Sequence, residues 1–389
     1  MLENSRFVNK LFEQITKKIT QHRDDIISLL CEVETYRTAY NEVEKTIRTI
    51  VSYSEENKYL IGRSPIGNVA VFLPFNMPLY SFVLYAFGPA YIGNNVVVRP
   101  SRLTSSQLKR ICDYFLPELK ELNISLFWGC GSELIHSVVD DNKYDCVIFT
   151  GKYDSVREIV SKLDHKTKLI YCGSGVCPLI IRDDADIDLA ASVTISSRLF
   201  NSGQDCLATE KILVHNSVFD RYVHLLIERA KRITVGELQD SNTAIGRLTD
   251  HSIYENALKL LKTSNIDVLY DGGHSNQTIA PIIVETSSLE PVFLQEKFAP
   301  VFPIVRFNSN TEMLTNVNDS KYQLGVSVIG CSGFDEPFVA SHIAYNSSVL
   351  SLEEADAHIP FGGYRKSGFV TENGKTKEGP ILFSVETSK

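Results

Sequence analysis

Along the first fifty residues the apolar positions recur at helical spacing. Phe7, Leu11, Ile15 and Ile19 form one stripe and Tyr40, Val43, Ile47 and Ile50 another, which predicts helix from residue 5 to about 52. The stretch from Gly62 to Gly67 breaks the pattern. Beyond it, short apolar runs alternate with amphipathic ones. Strands are expected at 69–73, 95–99, 124–128, 146–149 and 169–171, the first two stopped by Pro74 and Pro100. Between them lie a buried helix over 79–92 and amphipathic helices over 104–122 and 153–163, the former capped by Thr104 and Ser105. A second alternating block begins at 178–181. It holds helices over 185–200, 218–235 and near 311–318, with strands at 211–214, 280–285, 301–307 and 324–330. Strands alternating with helices pair in parallel and build open, twisted sheets. The expected fold class is therefore α/β, with two domains meeting near residue 172.

Composition narrows the function classes. The chain has 389 residues, 43% hydrophobic and 22% charged, enough for two domains with a substantial core. A net charge of -8 without a basic run argues against nucleic acid as a main partner. No apolar stretch reaches the length of a membrane span, and the N-terminus lacks the pattern of a secretory signal, so a cytoplasmic location is expected. The eight cysteines have no paired spacing, which reads as cytosolic thiols and not as disulfides or a zinc site; no metal is expected.

The polar punctuation carries the candidate chemistry. Cys206 ends the run Asn201-Ser202-Gly203-Gln204-Asp205-Cys206, whose polar and small residues suit a tight loop with inward N–H groups, a setting for a nucleophilic thiol. Further segments surround it in sequence: Pro74-Phe75-Asn76-Met77-Pro78, Val98-Arg99-Pro100-Ser101, Phe149-Thr150-Gly151, Glu296-Lys297-Phe298-Ala299-Pro300, and Pro360-Phe361-Gly362-Gly363-Tyr364-Arg365-Lys366-Ser367-Gly368. In this order these segments resemble the motifs of the aldehyde dehydrogenase superfamily, from residue 65 to the C-terminus.

The resemblance implies a Rossmann-type cofactor domain with N-terminal helices over 1–171 and an α/β catalytic domain over 172–350. It implies a return to the cofactor domain over 351–389, and a homo-oligomer built by a hairpin at 58–72 and a C-terminal strand at 381–387. It implies that Cys206 attacks a carbonyl and passes through a thiohemiacetal to a thioester, with the Asn76 amide and the Cys206 N–H holding the oxyanion. Glu296 and Phe298 would meet the nicotinamide end of NAD or NADP; Phe75, Arg99, Ser101, Arg102, Gly151 and Lys152 would meet the rest. Glu372 aligns with a glutamate that relays a proton in many members.

Two departures from the family pattern matter. Hydrolytic members carry a glutamate base where this chain has Cys172, in Cys172-Gly173-Ser174-Gly175-Val176-Cys177-Pro178, and a neutral thiol is no base for water. That run is similar to the coenzyme-A-acylating and acyl-reducing branches, so the expected substrate is an aldehyde or an acyl thioester, bound to coenzyme A or to a carrier protein. A hydrolytic dehydrogenase, a silent relative and an acyl-phosphate reductase are the alternatives. In the cofactor segment Lys152 and Val156 replace the usual Ser and Gly, and Arg102 stands where a Glu often meets the adenine ribose; the cations favour NADP over NAD. A reversible Cys172–Cys206 disulfide is a minor further expectation.

Overall fold

The computed structural model describes residues 2–141, 143–330, 337–351 and 357–389; Cys331 lies outside them. The first sheet is built on β1 (Asn68–Phe72), β2 (Asn95–Arg99), β3 (Ile124–Leu126), β4 (Cys146–Thr150) and β5 (Lys168–Cys172), all parallel in the order β5-β4-β1-β2-β3. The chain winds to one side from β1 to β3 and to the other through β4 and β5. The loops leaving β1 and β4 therefore diverge and open a crevice at the C-terminal strand ends, where open α/β sheets bind ligands. Those loops carry Phe75 and Asn76 on one side and Gly151 and Lys152 on the other.

Successive strand residues point to opposite faces. Val69, Val71, Ile148, Ile170 and Cys172 pack toward the N-terminal helices. Ala70, Phe72, Val147, Leu169 and Tyr171 pack toward the helices Gly131–Val139 and Tyr153–Val160.

The second sheet contains β6 (Cys177–Ile181), β7 (Thr209–His215), β8 (Ile266–Asp271), β11 (Ile282–Thr286), β12 (Val301–Phe307), β14 (Gly325–Ile329) and β15 (His342–Tyr345). Its order is β15-β14-β6-β7-β12-β11-β8, parallel except for β8. Two short pairs, β9 (His274–Ser275) with β10 (Thr278–Ile279) and β13 (Tyr322–Gln323) with β16 (Tyr364–Arg365), lie outside both sheets. The chain crosses between sheets at 173–176. It returns as β17 (Gly368–Glu372) and β18 (Lys375–Lys377), antiparallel beside β5.

The N-terminal helices, Leu2–Gln21, Arg23–Leu30 and Tyr36–Ser52, cover the first sheet and reach the second domain. The Tyr36 N–H donates to Leu238 O at 2.8 Å, and Thr249 Oγ1 donates to Val33 O at 2.8 Å.

Several sequence expectations are corrected. The helix expected over 104–122 breaks into Ser105–Cys112, a 3-10 turn at Asp113–Phe115 and Leu116–Glu121, because Pro117 suits a new helix start and not a helix interior. Thr104 makes no side-chain cap. The helices Gly131–Val139 and His251–Thr263 were not anticipated.

The hairpin expected at 58–72 does not form. Tyr53–Tyr59 is a 3-10 helix, and 68–72 is β1, a central parallel strand. Nor is 381–387 a free edge strand. Ile381 bridges Phe361, a short helix follows at Phe383–Glu386, and Ile381 and Phe383 are buried within the same chain. Residues 68–72 of the first element and Ile381 and Phe383 of the second are thus used inside one chain. Among the described residues no helix is long and apolar enough to cross a membrane.

Candidate active site

The helix Ile187–Leu199 starts at Asp186, whose side chain accepts the N–H groups of Asp188 and Leu189, and ends in a tight turn over Phe200–Gly203. Asn201, Ser202 and Gly203 all have positive φ (48°, 55° and 86°). Such a run is strained for non-glycine residues and persists only where its surroundings hold it. Ser202 Oγ accepts the Gly246 N–H at 3.0 Å, Gln204 Oε1 accepts the Thr249 N–H at 2.9 Å, and Gln204 Nε2 donates to Asn201 O at 3.1 Å. A Cβ at Gly203 would lie 2.6 Å from Arg198 Nη2 and 2.8 Å from the Ala299 carbonyl carbon. The polar motif is therefore the scaffold of the turn. It delivers Cys206, half-buried, just before β7.

Four segments meet in the region of Cys206. Gly175 lies against the Cys206 carbonyl oxygen, with no room for a Cβ, and the Cys177 thiol donates to the same oxygen at 3.3 Å. Glu296 accepts from Ser174 Oγ at 2.7 Å and from the Gly175 N–H at 3.1 Å. The C-terminal motif clamps the crossover: Ser367 Oγ donates to Ser174 O at 2.7 Å, and the Gly173 N–H to Ser367 O at 3.0 Å. The Phe298 ring meets Phe75 edge-on at 6.0 Å, which brings in the loop of Asn76. Asn76 is half-buried, and its carbonyl accepts from Ser81 Oγ at 3.2 Å. The structure thus draws Phe75, Asn76, Cys206, Glu296 and Phe298 into one region.

A buried ion cluster missed by the sequence reading holds the Glu296 segment. Glu210 pairs with Arg198 at 2.7 Å and with Lys297 at 3.0 Å, all three fully buried. Glu210 also accepts the N–H groups of Lys297 (2.9 Å) and Phe298 (3.0 Å). Burial works against its charge, but the two cations keep its carboxyl below the usual range. Arg198 donates to Gly203 O at 2.5 Å and so ties the nucleophile turn to the same cluster. A β-bulge opposite Cys177, next to Pro178, turns Glu210 inward. The signal was present in the sequence: Glu210 and Lys211 stand directly before the apolar run Ile212-Leu213-Val214 of the same strand.

Burial dominates the ionisation of the site. It holds the Cys206 thiol well above its ordinary value, with Asp205, Cys177, Glu296 and Cys172 adding to the effect. Cys172, also buried, is pushed up to about 12. Glu296 is raised to about 8 by burial and by the charge of Glu210. Tyr85, buried in a π-helical turn at Val83–Phe87, is raised by burial and then by the charges of Cys172 and Cys206, and its hydroxyl hydrogen-bonds with the Cys172 thiol. Sequence reasoning passed over Tyr85 as one apolar position in a buried helix.

The cofactor candidates line the crevice mouth. Arg99 ends β2 over Gly131, and its Nε is buried without a partner. Burial lowers its basicity, Cys130 partly restores it and the neighbouring Arg102 lowers it further. Ser101 and Arg102 follow on the same loop, with Ser101 half-buried and Arg102 exposed. Gly151 has φ 155° and accepts from the Tyr171 hydroxyl at 2.9 Å; Lys152, exposed, starts the helix Tyr153–Val160. Val156 points away from the crevice, in the core beneath the sheet.

Glu372 is not brought to the site. Gly368 pairs with Cys172 and Thr371 with Leu169, so Glu372 lies at the far end of the strand, roughly 13 Å from the Gly368 end at about 3.3 Å per residue. There its exposed carboxylate stands 3.8 Å from Lys168.

Comparison with known proteins decides the family. The model of the aldehyde dehydrogenase family matches residues 3–379. The chain belongs to the aldehyde dehydrogenase family. Among its aldehyde dehydrogenase relatives, the lactaldehyde dehydrogenase of Methanococcus vannielii is 28% identical over 400 residues, covering 98% of this chain and 81% of the relative. The NADP/NAD-dependent aldehyde dehydrogenase PuuC of Escherichia coli is 26% identical, covering 91% and 72%. The fold matches glyceraldehyde-3-phosphate dehydrogenase GapN of Methanocaldococcus jannaschii, solved with NADP, at a TM-score of 0.89 and 24% identity, over 99% of this chain and 88% of that one. It also matches a betaine aldehyde dehydrogenase of Staphylococcus aureus, solved with NAD+, at 0.87 and 21% identity, over 99% and 82%.

Proposed function

We propose that this aldehyde dehydrogenase family member interconverts an aldehyde and an acyl thioester, and that a thiol, not water, exchanges the acyl group with Cys206. One observation carries this reading. β5 ends on Cys172, at the place the family pattern assigns to the water-activating base, and that buried thiol is held neutral, pushed up to about 12. A neutral thiol takes no proton from water at working pH.

The residues would act as follows. Cys206 Sγ bonds to the aldehyde carbon, and the Asn76 amide with the Cys206 N–H stabilises the resulting oxyanion. Loss of two electrons and a proton from that carbon leaves a thioester on Sγ. An incoming thiolate then forms the new C–S bond as the Cys206 thiolate leaves; the reverse sequence yields aldehyde.

The residues present fit a nicotinamide dinucleotide, which supplies the two-electron exchange when bound. Gly151 leaves the crevice floor without a side chain, and the orphaned Arg99 Nε beside Arg102 suits an anionic group. Arg99, Arg102 and Lys152 favour NADP over NAD, with Ser101 on the same loop. Trp128, half-exposed just after β3 on the crevice side, reports binding by fluorescence quenching. Tighter binding of NADP(H) than of NAD(H) is the expected result, and equal or weaker binding removes the preference.

The decisive assay supplies lactaldehyde and other short aldehydes with NADP+, with and without coenzyme A. Thioester formed only with the thiol supports the proposal. Efficient release of free acid without any thiol overturns it. That second outcome would favour a hydrolytic reading with Glu296 as base, since its carboxyl acts on Cys206 and ionises near neutrality, raised to about 8.

A further inference from the structure

The helix that follows Asn76 begins without a cap of its own. Its N-cap is Met77, in the left-handed conformation (φ 47°), with a side chain that accepts no hydrogen bond. Pro78 has no N–H to satisfy, and the Ser81 N–H already donates to Met77 O at 2.8 Å. That leaves the N–H groups of Leu79 and Tyr80 as the donors needing an acceptor from elsewhere. Glu42 supplies it. From the helix Tyr36–Ser52, Glu42 Oε1 accepts both, at 2.7 Å from Leu79 and 2.8 Å from Tyr80.

Glu42 is fully buried, and among the described residues no basic side chain pairs with it; a second buried carboxyl, Glu34, acts on it by charge and by side-chain hydrogen bonding. Glu42 Oε2 and Glu34 Oε1 are both buried and take no hydrogen bond from a donor among the described residues, which favours one proton held between the two carboxyl groups. Burial raises both groups, Glu34 more strongly. A carboxyl pair this deep is expensive to keep, but the helix it caps is itself buried at Pro78, Leu79, Ser81 and Phe82, where water does not supply the acceptor. The same helix also reaches the nucleophile turn, where Lys45 Nζ stands 5.9 Å from the Phe200 ring.

We infer that Glu42, oriented by Glu34, is a positioning residue: by fixing the first turn of the helix at Leu79 and Tyr80 it sets where the Asn76 amide stands relative to Cys206. This inference rests on the proposed role of Asn76 as oxyanion donor. Glu42→Gln keeps an acceptor oxygen at full reach, whereas Glu42→Asp withdraws it by one methylene. Pre-steady-state hydride transfer with lactaldehyde and NADP+ is measured for both, alone and combined with Asn76→Ala.

The expected result is a loss of about 100-fold in the transfer rate for Glu42→Asp, the scale of a 1 Å misplacement. Glu42→Gln should stay within about threefold of the parent, with the dinucleotide affinity read from Trp128 unchanged in both. In the Asn76→Ala background, Glu42→Asp should add little, since one mutation already removes what the other displaces. A Glu42→Asp protein at the parental rate, equal losses in the Gln and Asp proteins, or fully additive losses with Asn76→Ala would each overturn the inference alone. If Asn76→Ala itself leaves the rate untouched, the oxyanion assignment falls, and the inference with it.

Discussion

Cys206 is useful because its neighbours are committed to the backbone. The Asn201 amide nitrogen and the Ser202 and Gln204 side chains bond the backbone of and around the turn, so the thiol is left facing the region shared with Glu296 and Cys172. Cys206→Ser should abolish hydride transfer while leaving dinucleotide quenching of Trp128 intact. The sign of the thiol shift gives a pH test. A pKa raised above the ordinary 9.0 leaves little thiolate at neutral pH, so alkylation of Cys206 by iodoacetamide should rise about tenfold per pH unit through pH 9. A plateau below pH 8 would contradict the burial argument. At Cys172, replacement by Glu installs the missing carboxylate. Free-acid release without coenzyme A should then rise about 100-fold, the low end of general-base catalysis, as read by product chromatography.

At the scale of elements, the cluster of Glu210, Arg198 and Lys297 joins β7, the helix Ile187–Leu199 and the 296–298 segment. Removing one member leaves an uncompensated buried charge. Arg198→Met should therefore cost about 3–5 kcal/mol in denaturant unfolding, and it should lower the hydride-transfer rate because Gly203 O loses its donor and Glu210, which holds the Phe298 N–H, loses a cation. An unchanged unfolding midpoint would show the cluster to be dispensable. The sequence announced this element only faintly, as two charges directly before the apolar run Ile212-Leu213-Val214. Glu34 and Glu42 were quieter still, since a glutamate on a helix is ordinarily solvated and only packing reveals that it is not.

At the scale of the molecule, the C-terminal residues close the first domain. Ser64 and Lys389 exchange backbone hydrogen bonds at 3.1 and 2.9 Å, and the Phe383 ring packs edge-on against Tyr85 at 5.0 Å, on the helix that follows Asn76. Deleting 381–389 should lower the thermal midpoint by several degrees and slow hydride transfer, because the helix under Asn76 loses a packed face; full activity in the truncated chain would refute this coupling.

By itself the sequence determined the alternation of strands and helices, the change of sheet near residue 172, and the motif run that leads to Cys206. Each of these is a local pattern: a two-residue or helical period, a proline that ends a strand, a glycine that a tight turn requires. Tertiary structure alone decided which carboxylates count. Glu296 was drawn beside the thiol, Glu372 was carried to the opposite end of its strand, and Glu42 was buried beneath the loop of Asn76. β1, expected as half of a hairpin, and Ile381 and Phe383, expected on an edge strand, were used inside one chain. The reason is physical: spacing along a chain sets which face a side chain takes, whereas burial, and with it the cost and the chemistry of a charge, is set by what comes to lie against that face.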